Sequence, residues 1–355
     1  MRLGIIGLPQ SGKTTVFNAL TRGDLPIIAS GGRFDVHTAV VDVPDSRLDS
    51  LSALYKPEKT IYTKVTYVDI AGLDGSASGG ISGQLLNQLN QMDGFLHVVR
   101  CFEDPIVPHR MDSLNPERDI AAVDAELLLN DLIAVERKVE RLVDERQKGG
   151  GRDKSLIERE IALFERMQAD LSVENPLRDV EFTAEDERVL LGYGLLTRKP
   201  ILIVFNLGEG QAPPQVAYPH QRSAVVPLQG KLEMEIAQLP PNEAQVFLEE
   251  YGISEPGLDR VIRLSYDLLG LISFFTVGPD EVRAWTLPRG STAHEAAGAV
   301  HTDLQKGFIR AEVIPWAELV ALGGLSEARA KGKLRLEGKD YVLHDGEVMH
   351  VRFNL

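Results

Sequence analysis

The sequence predicts an α/β fold: a doubly wound, mostly parallel sheet, interrupted by an antiparallel α-helical hairpin and followed by a smaller α+β module. Three observations carry this. Short apolar runs alternate with helical segments over residues 1–122 and again over 198–272, which is the pattern of strands covered on both faces by helices. A glycine-rich loop falls between the first strand and the first helix. From about 123 to 197 apolar residues recur at spacings of three and four, and from 273 to 355 the chain turns to short β-rich runs.

The first strand, Arg2-Leu3-Gly4-Ile5-Ile6, runs into Gly7-Leu8-Pro9-Gln10-Ser11-Gly12-Lys13-Thr14, and Thr15-Val16-Phe17-Asn18 opens a helix. This is G-x-x-x-x-G-K-T in a strand–loop–helix setting. Backbone N–H groups and a helix N-terminus converge there on phosphate oxygens. Gly7 and Gly12 permit the curvature, Pro9, Gln10, Ser11 and Thr15 complete the cradle, Lys13 reaches the β- and γ-phosphates, and the Thr14 hydroxyl suits Mg2+.

The next apolar strand, Val65-Thr66-Tyr67-Val68-Asp69, ends in Asp69-Ile70-Ala71-Gly72. A D-x-x-G about 55 residues after a phosphate loop places a carboxylate for Mg2+ at Asp69 and a backbone N–H for the γ-phosphate at Gly72. Lys13, Asp69 and Gly72 are the catalytic candidates, with Thr14 and Asp69 as metal ligands. Phe95–Arg100 and Ile201–Phe205 are further strands. The second leads into Asn206-Leu207-Gly208-Glu209, at the place of the guanine-reading N-K-x-D. An Asp carboxylate there accepts from guanine N1–H and N2–H2, whereas adenine offers an acceptor at N1. Here Glu209 is one methylene longer and Leu207 replaces the Lys, so the base reader is altered. A plain strand-to-loop turn is the other reading.

Leu128, Leu132, Val135, Val139 and Leu142, then Ile157, Ile161, Phe164 and Leu171, flank Gly149-Gly150-Gly151 as two long helices with a glycine tip. Arg146, Lys148, Arg152 and Lys154 near that tip are candidate RNA-phosphate contacts or ordinary solvated charges. In the last module the runs at 273–276, 282–285, 308–313, 341–343 and 348–351 are strands and 292–300 is a helix. His97, His294, His301 and His350 lack metal-ligand spacing and read as structural. Trp285 and Trp316 read as core or edge residues, and the lone Cys101 as buried and inert.

A net charge of −14 excludes broad electrostatic attraction to nucleic acid, so no DNA partner is expected and any RNA contact is local. Residues 276–355 carry 10 Lys+Arg against 11 Asp+Glu, which leaves −13 on the first 275 residues. No signal segment and no membrane-length apolar run is visible, and a cytoplasmic location is expected.

The chain resembles the YchF (Obg-like ATPase) family of P-loop nucleotide hydrolases over nearly its whole length. The stretches that carry the resemblance are Val43–Leu48, Val68–Leu73, His97–Asp104, Phe274–Trp285, His301–Glu312, Arg335–Tyr341 and Asp345–His350. The resemblance implies a nucleotide domain (1–122 and 198–272), a helical insertion (123–197) and a C-terminal TGS domain (273–355), a ubiquitin-like β-grasp. It implies an NTP hydrolase that binds ribosomes and prefers ATP to GTP, and with three modules around one phosphate loop and cations at the hairpin tip, the TGS domain and that tip are the expected ribosomal contacts. Asn206-x-x-Glu209 matches the family's altered base motif. Leu73 stands where relatives with a water-orienting side chain carry Gln, which implies slow turnover. The chain departs at Gln10, where the family's Asn helps hold a monovalent cation, so K+ is left unassigned. It departs again at Arg33, where the switch Thr is expected, with Asp35 and Thr38 nearby, and in the Gly/Ser-rich stretch after Gly72. A guanine-preferring GTPase and a non-catalytic nucleotide-sensing adaptor are the alternative readings.

Overall fold

Two sheets account for the strands the sequence predicts except the run at 341–343, of which only Val342 pairs, in an isolated bridge with Thr292, and each sheet has its own core. The computed structural model describes residues 1–23, 37–70, 73, 81, 83–107, 109, 113–148, 151–250 and 256–354. The chain falls into two compact units, Met1–Val40 with Thr66–Leu268, and Val41–Val65 with Leu269–Leu355. Elements are numbered along the whole chain.

The first sheet contains β1 (Arg2–Ile6), β2 (His37–Asp42), β4 (Lys64–Asp69), β5 (Gly94–Cys101), β6 (Ile201–Leu207) and β7 (Ser223–Leu228), in the order β2-β4-β1-β5-β6-β7. Strand β1 lies parallel between β4 and β5, with Gly4 opposite Val68 and Phe95. The parallel pairing continues through β6 to β7, where Pro227 is tolerated because β7 is an edge. All residues of β5 and β6 are buried, as expected of central parallel strands. Helices α1 (Lys13–Thr21), α3 (Gly83–Asn90), α7 (Gly230–Gln238), α8 (Pro241–Glu250) and α9 (Gly257–Leu268) belong to the same unit. Ile6, Phe95, Val99, Ile203 and Phe205 form its main core with Leu85 and Leu89 of α3.

The helical hairpin is α4 (Pro116–Lys148) and α5 (Lys154–Ser172), followed by a short α6 (Ala184–Leu190). Val135 and Leu142 pack with Ile157, Ile161, Phe164, Met167 and Leu171, and Leu128, Leu132 and Val139 line the same seam. Asp153 caps α5 by accepting from Ser155 N at 2.8 Å. The hairpin does not separate from the nucleotide-type unit at residue 123. Ile120, Val123 and Leu127 of α4 sit in the main core. The fully buried Asp131 accepts from Leu196 N (2.9 Å), Thr197 N (2.7 Å) and Thr197 Oγ1 (2.7 Å), which binds the returning chain to α4.

In the second unit β8 (Leu271–Val277), β9 (Glu281–Pro288), β10 (Phe308–Pro315), β11 (Arg335–Glu337) and β12 (Glu347–Phe353) are joined by β3 (Lys59–Ile61), in the order β11-β10-β12-β8-β9-β3. Among β8–β12, the first strand β8 lies parallel to the last, β12, and the other pairs are antiparallel, which is the β-grasp arrangement. Helix α10 (Ala293–Val300), held by a Thr292–Glu295 capping box, covers one face with Ala293, Ala296 and Ala297. The short α11 (Thr302–Lys306) follows. The other face, with Phe275, Val282, Ile314 and Val348, is covered by α2 (Ser46–Tyr55), α12 (Trp316–Leu322) and α13 (Leu325–Ala330).

Residues 41–65 are therefore where the structure departs from the domain boundaries expected from sequence. They fold with the C-terminal sheet because Leu48 and Leu51 bury completely against it and β3 extends it in parallel beyond β9, with Thr60 opposite Val282.

Candidate nucleotide-binding site

The loop between β1 and α1 has the conformation its glycines predict. Gly7 has φ 144° and Gly12 φ 92°. A Cβ would lie 2.3 Å from Val98 O at Gly7 and 2.1 Å from Asn206 Nδ2 at Gly12, so neither position has room for a side chain. Gly12 is the N-cap of α1 and supplies no capping side chain, which leaves the first-turn N–H groups for an anion. Pro9 and Gln10 are exposed and Ser11 is buried, with an Oγ that finds no partner among the described residues. Gln10 has φ 65°, a left-handed conformation that Asn tolerates better than Gln. The departure from the family's Asn thus falls on a strained position.

The Lys13 ammonium is turned inward and donates to Gly7 O (2.8 Å) and Leu8 O (2.9 Å). Burial pushes it down to about 8, against the opposing pull of Asp69. The Thr14 hydroxyl donates to Asp69 Oδ2 at 3.1 Å. Burial raises the Asp69 carboxyl, while Lys13, Thr14 and His37 draw it back. A hydroxyl and one carboxylate fit Mg2+, a hard cation that takes few protein ligands and completes its shell with water and phosphate oxygens. Among the described residues no cluster of three His, Cys, Asp or Glu offers a self-sufficient metal cage.

Asn206, at the end of β6, is 3% exposed and joins three segments. Its Nδ2 donates to Ser11 O at 3.0 Å and its Oδ1 accepts from Gly230 N at 3.1 Å. Glu209 is exposed on the loop beyond, which Gln211 Oε1 shapes by accepting from Gly208 N at 2.8 Å. Leu207, expected among the nucleotide-binding residues, instead points into the main core, because it follows the β6 alternation of Ile201, Ile203 and Phe205. Sequence reasoning passed over Phe102. Its ring lies 3.7 Å from where a Gly12 Cβ would be, its Cβ lies 3.6 Å from where a Gly208 Cβ would be, and the Arg100 guanidinium stacks on it at 4.6 Å. Its place directly after β5 was the available signal.

Gly72, Arg33 and Asp35 lie outside the described residues, as does most of the stretch after Gly72. Thr38 is exposed on the edge strand β2, and Leu73 is 1% exposed in the main core. Of the hairpin cations, Lys148 pairs with Asp144 at 3.3 Å, and Arg152 with Glu145 (3.3 Å) and Glu160. Arg146 and Lys154 make no ion pair among the described residues. Cys101 is buried, and burial pushes its thiol up to about 12.

His97, between Ile6 and Ile203 in the sheet behind the phosphate loop, is 1% exposed. Burial, with Lys13 and Arg178, lowers it from 6.5 to about 3. Between those values the unfolded chain takes a proton that the folded chain refuses, so stability falls as pH falls. The expected slope is about 1.4 kcal/mol per pH unit below 6.5. Urea unfolding at pH 7.0, 6.0 and 5.0 checks this. A His97→Gln variant should lose that component of the slope, and an unchanged slope would assign the acid sensitivity to other groups.

Two family models match. One, described as 50S ribosome-binding GTPase, covers residues 2–138. The other, for the C-terminal part of YchF GTPases and described as a protein of unknown function (DUF933), covers 271–354. The "Ribosome-binding ATPase YchF" of Pasteurella multocida is 40% identical over 100% of this chain and 99% of its own length. The protein of the same description from Bacillus subtilis is 40% identical over 99% of each chain. "Obg-like ATPase 1" of Oryza sativa subsp. japonica is 35% identical over 100% of this chain and 92% of its own. Among solved structures, the Schizosaccharomyces pombe YchF GTPase superposes with a TM-score of 0.84 at 29% identity, covering 99% of this chain and 97% of that one.

Proposed function

The chain belongs to the YchF family, and from that premise we propose that it is a ribosome-associated P-loop nucleotide hydrolase that prefers ATP to GTP and acts in translation or its regulation. The observation that carries the reading is the convergence of Lys13, Thr14 and Asp69 beside a phosphate loop that Asn206 ties to the base-reading strand. The ribosomal partner follows the relatives' names and implies work in the cytoplasm.

In this reading the α1 N-terminus and the loop N–H groups hold the β- and γ-phosphates, and Lys13 leaves the Gly7 and Leu8 carbonyls to meet them. Thr14 and Asp69 would hold Mg2+, which neutralises charge developing on the transferred phosphoryl group. The expected γ-phosphate donor, the Gly72 N–H, lies outside the described residues. Leu73 is sunk in the core and orients no water, so turnover by the chain alone is slow. Glu209 at the Asp position of guanine readers moves the carboxylate from where guanine needs it. Phe102 offers a sequence-tolerant apolar face to the base.

Calorimetric titration of Mg-ATP and Mg-GTP, with Lys13→Ala as control, tests this. ATP is expected to bind at least ten-fold tighter, a difference of about 1.4 kcal/mol, with neither nucleotide binding the variant. Equal or reversed affinities would move the chain to the GTPase reading. Tight binding without single-turnover hydrolysis would make it a nucleotide-sensing adaptor, the reading that the buried Leu73 favours.

A further inference from the structure

The turn that carries Glu209 is braced by a single residue. Gly208, Glu209, Gly210 and Gln211 form a tight turn in which Gln211 N donates to Gly208 O at 3.3 Å. Gly210 takes φ 67°, the left-handed conformation that glycine adopts without steric cost. The side chain closes a second bond in the opposite sense, with Gln211 Oε1 accepting from Gly208 N at 2.8 Å. Both backbone polar groups of Gly208 are therefore engaged by Gln211. A Cβ at Gly208 would stand 3.1 Å from that Oε1 and 3.6 Å from Phe102 Cβ, so a side chain there would crowd both.

Glu209 stands between two glycines, and glycine gives a backbone its greatest freedom. A carboxylate on a loose turn of that kind adjusts to whatever donors approach it. The bracing removes this freedom. Ahead of the turn Asn206 is fixed to Ser11 and Gly230, and Leu207 is sunk in the core. The turn is thus anchored on the sheet at its start and on its own first residue at its end. The Glu209 side chain is exposed and makes no ion pair among the described residues, so it is open to a ligand, but from a fixed mount. Specificity is a difference between two affinities, and an acceptor that cannot follow the wrong ligand is one way to build it.

We propose that Gln211 is a specificity-determining positioning residue: its two bonds to Gly208 fix Glu209, and the fixed Glu209 sets which base is preferred. In a chain that prefers ATP, the bracing holds the carboxylate off the N1–H and the 2-amino group of guanine. Adenine loses nothing by this, since it presents an acceptor at N1 and has no 2-amino group. Once released, Glu209 can swing to the two donors of guanine, and the discrimination shrinks. Gln211 lies two residues beyond the Asn206-x-x-Glu209 pattern and acts on it from outside. The inference rests on the reading that this turn meets the base of a bound nucleotide.

The test titrates Mg-ATP and Mg-GTP by calorimetry into the full chain and into Gln211→Leu, Gln211→Glu, Glu209→Ala and the Glu209→Ala/Gln211→Leu pair. Leu keeps the bulk of the side chain and removes the acceptor, whereas Glu keeps an acceptor for the Gly208 N–H. The ratio of the GTP to the ATP dissociation constant should fall about five-fold in Gln211→Leu, which is what one net hydrogen bond is worth. In Gln211→Glu the ratio should stay at the parent's value, because the added charge repels both triphosphates alike. In the Glu209→Ala background Gln211→Leu should move the ratio no further, because the residue acts through Glu209. A merely structural role would weaken both nucleotides together and leave the ratio in place, and that result overturns the proposal. So does a shift that persists without Glu209, which would mean that Gln211 itself touches the base. A parent chain that prefers GTP sinks the ATP reading instead. Gln211 then keeps its positioning role if Gln211→Leu erodes that preference, and loses it if the ratio does not move.

Discussion

A fragment comprising residues 269–355 alone is expected not to fold, although it contains five of the six strands of its sheet. One face of that sheet presents Phe275, Val282, Ile314 and Val348, all at most 1% exposed, and part of their cover comes from α2, more than 200 residues earlier in the chain. Leu48 and Leu51 of α2 are 0% exposed. Truncating a buried Leu to Ala costs about 2–5 kcal/mol, and a domain's whole stability is about 5–15 kcal/mol, so losing both with their helix is more than a small sheet tolerates. Polar ties fail with them. Asp45 caps α2 and pairs with Arg47 at 2.8 Å, Arg47 reaches Asp345 at 2.6 Å, and Tyr55 accepts from Leu325 N at 2.9 Å. Near-UV circular dichroism and urea unfolding check the expectation. Residues 269–355 should give no cooperative transition, a chain in which 41–65 are joined ahead of 269 should restore one, and Leu51→Ala in the full protein should lower its midpoint. A cooperative transition from 269–355 alone would show that α2 is a passenger.

The same segment marks where sequence reasoning reaches its limit. The phosphate loop, Asp69 and the Asn206 turn were legible because each needs particular residues at short spacing: glycine where φ is positive, a carboxylate at a strand end. The hairpin was legible because Val135, Leu142, Ile157 and Phe164 repeat with the helix period. Residues 43–48 were recognisable as a stretch but not as part of the C-terminal unit. Their meaning lies in Arg47 meeting Asp345, 298 residues away, and no local pattern encodes that. Likewise Asp131 looked like one more polar residue on a long helix, whereas it is buried beneath the backbone of Leu196 and Thr197. At the hairpin tip the sequence displays four cations, but two are held by Asp144, Glu145 and Glu160 on neighbouring turns. The burial of Leu207 was not legible for a simple reason: the motif ran through the end of a strand whose alternation sends that side chain inward.

Replacing Asn206 with Ala should loosen the phosphate loop and weaken ATP and GTP alike, by about 100-fold. The amide is wedged so closely that a Cβ at Gly230 would stand 2.7 Å from its Oδ1, and it satisfies Ser11 O and Gly230 N at once. Removing it leaves a buried carbonyl and a buried N–H without partners, at about 1–3 kcal/mol each, and frees the loop from β6. A loop that must be ordered on binding spends about 2.7 kcal/mol of its affinity, which is a factor of about 100. Asn206→Asp is expected to be worse, since it keeps an acceptor for Gly230 N but turns a buried carboxylate oxygen towards the Ser11 carbonyl. Calorimetry with both nucleotides, alongside thermal unfolding, separates the roles this residue can have. Equal losses for ATP and GTP with a lower melting temperature mark a tie between loop and sheet. A loss confined to one nucleotide, with unchanged melting, would mean that Asn206 reads the base and that its bonds to Ser11 and Gly230 are incidental.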